Sequence, residues 1–137
     1  MVNQSKSEFF AALVKQIRDS VVELKSVYDD IKHTSELAAG DFPCCMVGDG
    51  GDVSVHNITS TQDQLINVII QILADSDTNF DQLRNLDEAV MDAINQEHTI
   101  NGTCLICKPM NRNAPTGWDD TNKWMQRRYE ARLRRDR

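Results

Sequence analysis

The chain has 137 residues, which is long enough for one domain with a buried core and too short for two of ordinary size. Its net charge of −6 disfavours a dedicated nucleic-acid binder, because a negative field repels the phosphate backbone that supplies most affinity. It contains no run of eighteen apolar residues and no apolar segment ahead of a small-residue cleavage site, so neither a membrane span nor a signal peptide is expected.

The first element is a helix. Phe9, Phe10, Leu13, Val14, Ile17, Val21, Leu24, Tyr28 and Ile31 recur at three- and four-residue steps, predicting more than six turns, and Ser5-x-x-Glu8 supplies a capping box. Gly40 and Pro43 end the helical pattern. "FPCCMV" then reads as a strand, and "GDGGD" as the mobile acidic turn that follows it. "DVSVHNITSTQ" alternates Val53, Val55 and Asn57 against Ser54, His56 and Ile58, as a second strand or an extended loop would.

"DQLINVIIQILADSD" fits both strand and helix periods. Five of the seven residues from Ile66 to Ile72 are β-branched, which decides for a strand with Ile66, Val68, Ile70 and Ile72 on its core face. A helix follows, with Phe80, Leu83, Leu86, Val90, Ala93 and Ile94 on one side and Thr78 or Asn79 as its N-cap. "TCLICK" is a further β-type run, "PMNRNAPTGWDDTN" a loop, and "KWMQRRYEARLRR" a final edge strand with a cationic outer face, a helix being the other reading of that segment. The order of elements gives an α+β domain spanning 1–137, with an antiparallel or mixed sheet and two helices packed on one face.

Charge is unevenly distributed. Of 15 Lys/Arg and 21 Asp/Glu, seven and two fall in 123–137, a local +5, leaving eight and nineteen in the rest, a local −11. Such a basic segment suits docking on carboxylates of a second copy or another protein. Its candidate interaction residues are Trp124, Arg127, Arg128, Tyr129, Arg132 and Arg134. Arginines interleaved with aromatics would also suit single-stranded nucleic acid, against which the acidic remainder argues.

Chemical motifs are sparse. Cys44, Cys45, Cys104 and Cys107 sit in apolar β-like runs without the turns that zinc knuckles need, and adjacent Cys44 and Cys45 would point to opposite faces of a strand. They are expected as reduced, buried packing groups. "CLIC" opens no βα turn of the thioredoxin kind, and "GDGGD" lacks calcium-loop spacing. His33, His56 and His98 have no metalloprotease spacing, and no phosphate-binding glycine loop or nucleophile elbow occurs. No catalytic, cofactor-binding or metal-ligating residue is assigned, and no enzymatic activity is expected.

"TSTQDQLINVIIQILADSDTNFDQLRNLDEAVMDAIN" resembles the central unit of bacteriophage tail terminator (tail completion) proteins, in which a strand gives way through a polar link to a helix. The matching helical positions here are Leu83, Leu86, Ala89, Val90, Ala93 and Ile94. A long N-terminal helix, Phe42-Pro43 ahead of a strand and a terminal strand agree with that pattern, and related neck and minor tail proteins match it nearly as well. The resemblance implies a structural virion subunit, assembled in the host cytoplasm, that forms a homo-oligomeric ring, commonly a hexamer. Such a ring caps the tail tube and meets the head connector, while DNA crosses its bore without specific binding. It implies no cofactor and no membrane. The competing expectation is a non-viral interaction domain that captures an acidic partner through its basic C-terminal strand.

Overall fold

The computed structural model describes residues 4–32, 36–56, 61–110, 114–119 and 122–136. In chain order these form α1 (Lys6–Ser20), β1 (Ser26–Tyr28), a short 3-10 turn (Ala39–Asp41), β2 (Cys44–His56), β3 (Thr61–Asp75), α2 (Phe80–Gln96), β4 (Ile106–Pro109), β5 (Thr116–Trp118) and β6 (Asn122–Asp136). The fold is α+β: a six-stranded mixed sheet in the order β1-β2-β3-β6-β4, with β5 also paired to β6. β1 runs parallel to β2, and the remaining pairs are antiparallel.

The ambiguous central segment is a strand. Ile66, Val68, Ile70 and Ile72 are all at most 2% exposed and share a core with Leu83, Leu86, Val90 and Ile94 of α2 and with Phe9, Leu13 and Ile17 of α1. Asn79 caps α2, accepting from the Gln82 N–H at 2.9 Å while the Gln82 side chain accepts from the Asn79 N–H at 3.2 Å. Ser5 caps α1 by accepting from the Glu8 N–H.

Several expectations are corrected. The first helix ends at Ser20 instead of running on to Ile31. Val21, Leu24 and Val27 remain buried, so their three-residue spacing is satisfied by a turn and a strand. Tertiary bonds stabilise that path: the Lys25 N–H donates to the Pro43 carbonyl at 2.9 Å and the Arg18 guanidinium to the Val27 carbonyl at 3.0 Å. "GDGGD" is no terminal turn but lies inside β2, where the register against β3 slips by one residue between Asp49 and Asp52. Gly51 absorbs this bulge with φ of +101°, a conformation open to glycine, and its N–H donates to Asp49 Oδ1. Residues 57–60, with Asn57 and Ile58 of the expected alternation, lie outside the described residues, as does His33.

At the other end, only Ile106–Pro109 of the "TCLICK" run is strand, because Ile100 and Asn101 take φ of +47° and +56° and Cys104 lies in the resulting turns. The loop after β4 contains β5. The C-terminal segment is a strand, yet an interior one: β3 pairs with it from Asn122 to Asp136, and β4 and β5 occupy its other side. Short edge strands cover what alternation alone presented as an edge.

Candidate interaction surface

Along β6, residues from Trp124 to Arg134 alternate between two environments. Met125, Arg127, Tyr129, Ala131 and Leu133 face the helices, and Trp124, Gln126, Arg128, Glu130, Arg132 and Arg134 face away from them. The six expected interaction residues are therefore divided.

Arg127 and Tyr129 belong to the interior. Arg127 grips Asp87 of α2 with two parallel bonds, Nε to Oδ1 at 2.9 Å and Nη2 to Oδ2 at 2.8 Å, with Asp87 itself only 5% exposed. The hydrogen bond to Asp87 raises the guanidinium's already high proton affinity. Tyr129 is fully buried beside this pair, and its hydroxyl has no hydrogen-bond partner among the described residues. Burial, reinforced by the charge of Asp87, pushes its pKa upward.

Trp124 is half-buried and packs over a small cluster of Cys44, Met46 and Leu73 beside Tyr28, Leu37 and Phe42. Its indole lies so close to the β5 backbone that a Cβ at Gly117 would collide with it. Arg128, Arg132 and Arg134 do share the open face. Arg128 is exposed, and Arg132 stands 3.6 Å from the buried carboxylate of Asp63 directly across the strand pair's diagonal. The Arg134 backbone is clamped by Gln4, whose N–H donates to the Arg134 carbonyl while its side-chain oxygen accepts from the Arg134 N–H.

Sequence reasoning missed three contributors. Lys108 and Ile106 of β4 fall opposite Glu130 and Arg132 and extend the open face, Lys108 exposed and Ile106 39% exposed. Trp118 of β5 is 71% exposed and meets Phe80 of α2 edge-on, with ring centroids 6.1 Å apart. A tryptophan within "PTGWDD", between a turn and acids, was the available signal.

The four cysteines are buried and reduced. Cys45 and Cys107 join the helix-side core, whereas Cys44 lies on the sheet's other face. Burial pushes the Cys44 thiol up to about 11 and Cys104 to about 12, and drives Cys45 and Cys107 higher still. Thiols held protonated in this way are poor nucleophiles near neutrality. Two surface grooves, of about 500 and 450 Å³, lie along the helices. The first is lined by Lys15, Gln16, Asp19 and Glu97, the second by Pro43, Gln82, Leu86 and Ala89.

No protein family matches the chain by sequence, and neither does any curated protein. Among solved structures, the fold is similar to a chain in the virion of a native gene transfer agent (GTA) particle, with a TM-score of 0.53 at 13% identity. The alignment covers 92% of this chain and 94% of that one.

Proposed function

We propose that this chain is a structural subunit of a phage-like virion: a tail terminator that closes the tail tube as a ring, commonly a hexamer, and joins it to the head connector. The observation that carries this reading is the fold shared with a gene transfer agent virion chain along nearly the whole length of both. The element order supports it, since a β-branched strand, a polar link and α2 follow one another as in the tail terminator unit that the sequence resembles. A net charge of −6 suits a bore that DNA must cross without adhering.

Truncating the basic segment is not an informative test, because β6 is paired from end to end with β3 and its loss would take the sheet with it. The informative experiment adds the purified protein to elongating tail tubes. Elongation stops, and electron microscopy finds a ring at one tube end. Tubes that keep growing, with no density at either end, would overturn the reading. A second reading, capture of an acidic partner, is favoured by Arg128 and Lys108 standing exposed on one face. Tight, salt-sensitive binding of an acidic peptide by a protein without effect on tubes would select it.

A further inference from the structure

An exposed aromatic knob stands on one flank of α2 and a groove lies along the other. The knob is Trp118, 71% exposed although it belongs to β5, where it pairs with Lys123 of β6. Its indole meets Phe80 edge-on, and the backbone of the neighbouring Gly117 lies against Trp124, so the strand that presents it is held in place. Lys123 stands over the Phe80 ring, 5.2 Å from its centroid, and leaves the indole of Trp118 open. The groove, of about 450 Å³, runs between α2 and Pro43. Pro43, Leu86 and Ala89 give it an apolar floor, and the exposed Glu23, Gln82 and Asn85 give it a polar rim. Val22, next to Glu23 in the chain, is 81% exposed. Phe80 and Ala89 are nine residues apart, roughly two and a half turns at 3.6 residues per turn, which sets them on opposite sides of α2. With a helix about 10 Å across in between, Trp118 does not reach the groove of its own subunit.

We infer that Trp118 of one subunit seats in the groove between α2 and Pro43 of the next, a head-to-tail contact between copies of this chain. The match is one of shape and of hydrogen bonding. The groove has room for an indole, its floor takes the apolar ring, and the side-chain oxygens of Glu23 and Asn85 on its rim can accept from the indole N–H. A single aromatic anchor that fills an apolar pocket is the arrangement that carries most of the energy of an interface, and an anchor fixed on a paired strand loses little freedom on docking. The occupant is a second copy because every copy brings both halves, on opposite flanks of one helix. Knob and groove differ, so the contact is heterologous, and repetition of one rotation can close a ring. This contact specifies how subunits meet in the ring proposed above and rests on that reading.

The test uses two full-length variants, each altered at one exposed position. Trp118→Ala removes the knob, and Asn85→Phe places an aromatic ring in the groove. Analytical ultracentrifugation is expected to find rings for the unaltered protein and monomers for each variant, association falling about 30-fold or more. An equimolar mixture of the variants retains one intact knob and one intact groove per pair, so it forms dimers and nothing larger. Circular dichroism melts matching the unaltered protein establish that both variants fold. Tryptophan fluorescence of the unaltered protein gives a readout that needs no variant: as rings form, emission moves to shorter wavelength and acrylamide quenching falls. Rings from either variant, a mixture that stays monomeric, or emission unchanged across ring formation would overturn the contact and leave the ring standing. An unaltered protein that is monomeric and leaves tail tubes growing would remove the ring reading and the contact with it.

Discussion

The two faces of the sheet are built from the same strands, residue by residue in alternation, and obey different rules. On the helix side β3 presents Ile66, Val68, Ile70 and Ile72, all buried, and the buried charge pair there is closed on itself, Arg127 of β6 being met by the two-bond carboxylate of Asp87. On the open side the neighbours of those isoleucines are Leu65, Asn67, Ile69 and Gln71, and the cations of β6 stand in or near water. A covered face must satisfy each polar group internally, whereas an open one can leave its charges to solvent or to another molecule. The difference separates what holds this protein together from what it can offer to a partner.

Adjacent residues of β3 provide the largest test of that contrast. Ile70→Asp places a carboxylate in the core and is expected to cost more than about 4 kcal/mol, enough to abolish a cooperative thermal melt. Ile69→Asp, one residue away and half-buried on the open face, is expected to cost about 1 kcal/mol. Equal losses from the two substitutions would show that the open face is covered in solution.

The ion pair between the layers comes next. Asp87→Ala leaves the Arg127 guanidinium partly buried without its carboxylate, at an expected cost of about 3 kcal/mol by urea denaturation. Replacing both partners, as Asp87→Leu with Arg127→Met, is expected to restore most of that loss, since the site is otherwise apolar. If the double variant is no better than the single one, the pair holds geometry that packing cannot replace.

The last test concerns alkali and sharpens the assignment of the cysteines to packing. Burial raises the thiol pKa in the folded state above the ordinary value of 9.0, so the unfolded chain releases these protons first. Stability is therefore complete below pH 9 and falls as pH rises from there toward about 11 for Cys44 and about 12 for Cys104, by about 1.4 kcal/mol per thiol and pH unit. Urea midpoints measured at constant salt from pH 7 to 10.5 read this directly. A flat profile above pH 9 would mean that the thiols are open to solvent.

The sequence made legible the parts in which one physical signal acted alone. The β-branched composition of Ile66–Ile72 identified β3, and the capped amphipathic stretch 79–96 identified α2. It misled where a tertiary partner outweighed a local period. Val21, Leu24 and Val27 continue the stripe of α1, but the hydrogen bond from Lys25 to Pro43 and the pairing of Val27 with β2 turn the chain out of the helix. Glycines at 48, 50 and 51 read as a turn because composition does not distinguish a turn from a bulge that β3 stabilises from the side. For the candidate surface, alternation along β6 already implied that Arg127 and Tyr129 would point away from Arg128 and Arg132. Treating the segment as one basic tail obscured that division, and the contributions of Lys108 and Trp118 depended on strand neighbours that no spacing reveals.

The interior position of β6 also orders events during synthesis. β2 and β3 leave the ribosome together and can pair at once, but the far side of β3 must wait for β6, whose residues follow after the whole of α2, β4 and β5. At roughly 5–20 residues per second the gap between Asp75 and Asn122 lasts several seconds. Throughout that interval the nascent chain carries a long, isoleucine-rich strand with one row of amides and carbonyls unpaired, beside other nascent chains of the same sequence on the polysome. A chaperone that shields β3, or slow translation that spaces neighbouring ribosomes apart, would then govern how much of this protein reaches its folded state.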